Sequence, residues 1–302
     1  MNGLMVSRAF FTLLVFLFAA DAAGAAPRVI ASIGPVHSLV AGVMDGVGAP
    51  DLLITGGASP HNQALRPSQA RLLQNAALIV WVGPLLEPFL AKPVRSLGSN
   101  ARIIALAKAP EIELLPMRAA IGENIAASRT RPGNPHIWLG PRNAIAIATI
   151  VAAALSEIDP ANADIYRRNA AAITRRIDLL AAEIETRVAA VKTCPYMVLH
   201  DAFSYFEARF SMNVMGAIMA SPDQKPSAKR RLEIRRRIVS QRIVCVFDEP
   251  QISSALHRSV VAGTPARTGT LDPLGVGLPA GKDAYFGLMR AIADSLVDCL
   301  AR

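Results

Sequence analysis

Short apolar runs alternate with helical periodicity along most of the chain. Residues 29–33 (VIASI), 51–55 (DLLIT), 78–83 (LIVWVG) and 102–106 (RIIAL) read as strands. The last two are nearly continuous apolar runs, the pattern of parallel strands buried on both faces. Between them, Gly34-Pro35 opens an apolar-periodic helix to about Met44, and Pro67-Ser68 caps a helix over about 69–75, Ser being a favoured N-cap. The second half repeats the logic. Strands are predicted at 196–200 (YMVLH), 214–219 (VMGAIM) and 243–249 (IVCVFDE), with a short one inside 266–275 and a last helix over 283–300. Such alternation predicts two parallel-sheet α/β lobes.

Between the halves lies the longest helical pattern, 159–191. Pro160 suits its first turn, and Ile165, Ala172, Ile173, Ile177, Leu180, Ile184 and Val188 recur at three- and four-residue spacings. About 30 residues at 1.5 Å each would make a rod of roughly 45 Å. We read it as one long rigid helix joining an N-terminal lobe, 26–158, to a C-terminal lobe, 192–302. Residues 117–135 lose all periodicity and carry Gly, Asn, Ser and Pro, the marks of a surface loop.

The N-terminus changes the picture. Arg8 precedes the apolar run Ala9–Ala20, and Ala23-Gly24-Ala25 has the A-x-A form of a cleavage site. This predicts a signal peptide over 1–25, because the apolar run is too short to span a bilayer. The expected product is an exported, soluble, periplasmic chain beginning near Ala26. The net charge of +9 would suit nucleic acid if the cations clustered among aromatics. The one dense tract, Lys229–Arg237 (KRRLEIRRR), has no aromatic residue, so it reads as a solvated helix face, with no nucleic-acid partner. Export permits disulfides. Cys245 lies in a buried-strand pattern and Cys299 ends the last helix. A bridge between them would close a loop of about 55 residues and contribute about 4 kcal/mol. The alternative is that Cys194, Cys245 and Cys299 are all small buried apolar residues.

Candidate chemistry lies at strand ends and in loops. His61 sits in the Gly/Ser/Pro loop after 51–55, His136 follows Asn134-Pro135, His200 ends a strand, and Asp272 precedes Pro273. Ligands of open α/β sheets bind beyond the carboxyl ends of strands. Three imidazoles and a carboxylate make a tetrahedral zinc set. They are too widely spaced for a zinc finger, so the fold must assemble them, two from each half, in a cleft between the lobes. His37 could line the same cleft or serve as an auxiliary ligand. His257 reads as a surface residue. Asp248 and Glu249 are either outer-sphere partners of a ligand histidine or solvated loop acids, Asp201 a helix N-terminal acid, and Trp81 and Trp138 packing residues.

GASPHNQALRPSQARLLQNAALIVWVG, NPHIWLGP, VLHDAFSYFEARF, VFDEPQ and GTLDPLG resemble, in order and over essentially the whole mature chain, segments of the zinc/manganese solute-binding proteins of ABC transporters. The resemblance implies two α/β lobes on one long helix with metal in the interlobe cleft. It also implies zinc held by His61, His136 and His200, with Asp272 or water in fourth place. Manganese binders resemble the pattern with a carboxylate in the third position, so His200 favours Zn2+, the transported ligand. A Cys245–Cys299 disulfide and an ABC permease in the inner membrane as partner are further implications; the expected state is a monomer. Two positions depart from the family pattern. The 117–135 loop has no histidine and one acid, Glu123, where many relatives have a His/Asp-rich segment. Pro60 stands where some relatives have a ligating Glu.

Two other classes compete. A secreted zinc hydrolase would need an open coordination position and a base, and the chain has neither HExxH nor Gly-x-Ser-x-Gly. A manganese or other divalent-metal binder, or an adhesin, could share the fold.

Overall fold

A computed structural model describes residues 25–123, 131–222 and 224–301. The predicted signal peptide therefore lies, except for Ala25, outside the described residues, as do 124–130 of the 117–135 loop. The first sheet comprises β1 (Val29–Ala31), β2 (Asp51–Leu52), β3 (Leu78–Trp81) and β4 (Arg102–Ala105) in the order β2-β1-β3-β4. The second comprises β5 (Tyr196–His200), β6 (Val214–Met219), β7 (Cys245–Asp248) and β8 (Arg267–Thr270) in the order β6-β5-β7-β8. Every pairing is parallel. The two sheets thus share one topology, with the strand order reversing between β1 and β3 and between β5 and β7. In open α/β sheets this switch point forms the ligand crevice.

Helices cover the sheets: α1 (Gly34–Val43), α2 (Pro67–Gln74), α3 (Ala91–Leu97), α4 (Pro141–Ile158), α5 (Ala163–Val188), α6 (Ser204–Phe210), α7 (Ala228–Ser240), α8 (Ser254–Val261) and α9 (Ala284–Leu300). α1 and α4 each open with proline in the first turn, where its missing N–H costs nothing. The α2 start differs from the predicted Ser68 cap. Arg66 is the N-cap, and the Gln69 side chain accepts from its N–H at 2.7 Å. Gln69 then donates to the Leu53 carbonyl at 2.7 Å, tying α2 to the start of the His61 loop. β4 also differs. It is the sheet edge, with Ile103 38% exposed, whereas its apolar run had suggested burial on both faces. The adjacent β3 is buried throughout.

The long helix is present as a single 3-10 turn at Pro160–Asn162 followed by the 26 residues of α5, about 39 Å of axis. Its buried stripe is Tyr166, Ala170, Ile173, Ile177, Leu180, Ile184 and Val188, so Tyr166 leads it rather than Ile165. α5 lies along α4 and also packs on α1 and α9. One continuous core runs through it, joining Val29, Val36 and Leu155 to Tyr196, Phe247 and Tyr285.

Cys245 on β7 and Cys299 on α9 form a disulfide across 54 residues, Cα to Cα 6.1 Å, and Cys194 is free. A staple of this length restricts the unfolded chain by about 4 kcal/mol. The Cys245→Ser/Cys299→Ser protein should therefore melt roughly 5–10 °C lower by calorimetry; an unchanged Tm would mean the bridge constrains little.

Candidate metal centre

The three histidines arrive from different elements. His61 lies in the loop between β2 and α2. Gly56 and Gly57 precede it with φ of 76° and 70°, a left-handed conformation that glycine adopts without strain. A Cβ on Gly57 would lie 2.8 Å from the Val276 side chain, so the loop can approach the second lobe this closely only with glycine there. His136 stands just before the 3-10 turn Ile137–Leu139 that leads into α4. His200 is the last residue of β5, at the switch point of the second sheet.

Their Nε2 atoms converge. His61 Nε2 lies 3.3 Å and His200 Nε2 3.2 Å from His136 Nε2. Among the described residues these three form the one group of His, Cys, Asp or Glu side chains placed to hold a metal ion. Nitrogens bound tetrahedrally at 2.0–2.1 Å would stand about 3.3–3.4 Å apart; the two separations from His136 already match this, and all three ligand atoms lie within 4.8 Å of one another. The pocket between them offers only about 10 Å³, the room of a single water-sized sphere. Ser59, Pro60, Trp138, Ile252 and Pro273 close around it. The site fits an ion and no organic solute.

Burial sets the protonation. His136 and His200 are 2% and 3% exposed, and His61 is half-buried. Burial, reinforced by the nearby His200, pushes the His61 imidazole down to about 3. Burial, with His200 and His61 beside it, holds His136 well below the ordinary range. Both therefore present lone pairs at neutral pH. Glu249, 3% exposed, accepts from His200 Nδ1 at 2.5 Å. When His200 is neutral, this carboxylate holds the proton on Nδ1 and leaves Nε2 free for a metal, the usual outer-sphere arrangement of a ligating histidine. Of the two acids ending the strand, Glu249 has this contact; Asp248 accepts from Thr270 Oγ1 and lies 3.9 Å from His257 Nδ1.

The structure does not bring Asp272 into the group. Its carboxylate accepts from the Leu274 and Val276 backbone N–H groups at 2.9 and 2.5 Å and from Gln251 Nε2 at 2.6 Å. These donors use it to close the turn after β8. His37, expected to line the same cleft or add a ligand, neither joins the group nor lines its pocket. Its Nε2 lies 3.0 Å from the Pro50 carbonyl, and it lines a separate cavity of about 320 Å³. His257 is buried, not on the surface as its polar neighbours had suggested, with Nε2 3.0 Å from the Val246 carbonyl. Trp138 packs its ring 5.3 Å from His136 and donates to the Pro273 carbonyl at 2.8 Å. The described part of the 117–135 loop is not a free surface loop. Ala120 bridges Ala217 on β6, and Ile121 N–H donates to the Ala217 carbonyl. Sequence reasoning missed Asn134, which is fully buried with Oδ1 2.9 Å from His136 Nδ1. The available signal was an Asn two residues before a histidine, since Asn side chains bond their own backbone two residues on.

Two parallel lobes on a shared helix, with a metal-sized hole between them, define a two-lobe α/β solute-binding protein. Residues 29–299 match the family described as zinc-uptake complex component A, periplasmic, and the chain belongs to that family. It is 38% identical to the high-affinity zinc uptake system protein ZnuA of Brucella suis biovar 1, covering 93% of each chain. It is 35% identical to the Yersinia pestis protein of the same name, covering 91% of this chain and 92% of that one. The fold is also that of the periplasmic zinc-binding protein TroA from Treponema pallidum, with TM-score 0.78, 22% identity, and 91% and 99% coverage.

The unfolded chain takes up a proton near 6.5 at each histidine. The folded chain leaves His61 neutral far below that, so this contribution to stability is lost as pH falls from about 6.5 towards 3. In metal-free protein the His61 ring resonances should titrate near 3 by NMR; a midpoint close to 6.5 would mean a solvated ring.

Proposed function

We propose that this protein is the exported metal carrier of an ABC-type uptake system. It captures Zn2+ in the periplasm and delivers it to a permease in the inner membrane. The observation that carries this reading is the convergence of three Nε2 atoms at 3.2–3.3 Å on a pocket of about 10 Å³. His61, His136 and His200 hold the ion, and water takes the fourth position because the Asp272 carboxylate is engaged elsewhere. An all-nitrogen protein set favours zinc over manganese, which suits oxygen ligands. A pocket without room for an organic substrate supports a carrier rather than a hydrolase. In this reading the protein is a monomer. Its lobes are 26–158 and 192–302, joined by the connector 159–191, and cleavage near Ala25 releases the mature chain.

The purified protein should bind one zinc ion per chain, with a dissociation constant below micromolar by chelator competition. His61→Ala, His136→Ala and His200→Ala should each weaken binding by more than about 100-fold, beyond the loss expected for an outer-sphere partner. Asp272→Ala should stay within about threefold of wild type, since removing a group that touches no metal forfeits well under 1.4 kcal/mol of binding. A triple histidine variant that bound zinc normally would refute the site. In cells, deletion should impair growth under zinc chelation, with recovery on added zinc; recovery on manganese alone would refute the metal.

A further inference from the structure

We infer that Asn134 is a positioning residue for the metal centre: clamped by Asp201 from the second lobe, it fixes His136 as the Nδ1–H tautomer and aims its Nε2 lone pair into the site. This rests on the three-histidine reading above and adds residues to it that hold no metal themselves.

The orientation of the Asn134 amide follows from partners that can act in only one way. Its Nδ2 lies 2.7 Å from the Asp201 carbonyl oxygen and 3.2 Å from Asp201 Oδ2. A carbonyl can only accept, and Asp201 Oδ2 already accepts from the Arg118 main-chain N–H. Its Oδ1 receives the main-chain N–H of His136 at 3.0 Å, a group that can only donate. Turning the amide over would set nitrogen against a donor and oxygen against two acceptors, with the side chain fully buried. Leaving such groups unpaired costs about 1–3 kcal/mol each. The oxygen therefore faces the ring, and His136 Nδ1, 2.9 Å from it, must carry the hydrogen. In a neutral imidazole the other nitrogen is then the lone pair.

Asp201 is itself held from several sides. It is fully buried. Its Oδ2 accepts from the Arg118 main-chain N–H at 2.6 Å, and its Oδ1 accepts from Ser204 Oγ at 2.6 Å. The Arg118 guanidinium lies 3.4 Å from Oδ1 and pairs with Glu207 at 2.6 Å. Tyr205 Oη donates to the Asn134 carbonyl at 2.6 Å, so the Asn134 backbone is fixed as well. The dipeptide His200-Asp201 thus supplies one candidate ligand directly and orients another across the cleft. His200 answers to a carboxylate, Glu249; His136 answers to a neutral amide, which leaves its ring less electron-rich. Among the described residues, Asn134 Oδ1 is the one hydrogen-bond partner of His136 Nδ1.

The test is a long-range 1H–15N NMR spectrum of the metal-free full-length mature chain, joined to zinc titrations of two variants. In wild type, His136 should show a protonated Nδ1 and a pyridine-type Nε2; a protonated Nε2 would overturn the proposal without any mutation. Asn134→Ala should populate the Nε2–H tautomer and weaken zinc binding by about 10- to 100-fold, with the far-UV circular dichroism of wild type. If Asn134→Ala binds zinc within threefold of wild type while His136→Ala does not, the positioning role is wrong and the three-histidine site stands. If His136→Ala also binds normally, the site itself is wrong. Should Asn134→Ala fail to fold, the wild-type tautomer alone decides.

Discussion

Three imidazole nitrogens, two of them within 3.3 Å of the third, are an unfavourable arrangement in a protein without metal. Lone pairs that face one another repel, and burial removes the water that would otherwise separate them. The fold holds the arrangement because each ring is fixed from behind. Glu249 stands behind His200, Asn134 and Trp138 bear on His136, and the glycine turn at Gly56-Gly57 sets the His61 loop against the second lobe. A small cation seated there would convert that repulsion into three bonds. The surrounding structure can be understood as the support that keeps three rings apart from their preferred solvent and close to one another.

The support comes from using one topology twice. Each sheet reverses its strand order once, and His61 and His136 from the first half line one pocket with His200 and Glu249 from the second. His200 and Glu249 come from the ends of β5 and β7, the two strands that flank the second reversal. The first lobe contributes from loops rather than strand ends. Of its two histidines, His136 is braced by a side chain, Asn134, which the buried Asp201 holds from the second half.

Most of the architecture was legible in the sequence because it rests on periodicity. Apolar runs marked seven of the strands, six of them at their first residue, although β2 ends three residues before its run does, and the three- and four-residue spacing of Ile173, Ile177, Leu180, Ile184 and Val188 marked α5. The three histidines were legible as a set because each followed a strand or a Pro-containing turn. What failed depended on which side of an element a residue faces. Asp272 and Glu249 are both acids at strand ends in the second half. Only the fold shows that one folds back onto the N–H groups of its own turn while the other reaches His200. His257 sits among Ser and Arg residues, but the helix turns it inward to the Val246 carbonyl. The β4 run RIIA looked buried on both sides, and nothing local to it says that no strand follows it in the sheet.

The helix α5 packs on helices of both halves, and one core passes through it. The lobes are therefore not independent folding units connected by a tether. Were they separate, thermal opening of one would leave His61 and His136 together on the other as a two-nitrogen half-site, free to take up copper or nickel, which bind nitrogen donors more tightly than zinc or with comparable strength. A shared core makes opening cooperative, so the chain offers either three converging nitrogens or none. A helix that carries none of the three histidines would in this sense take part in discriminating among metals, because it decides whether the chain opens as one body.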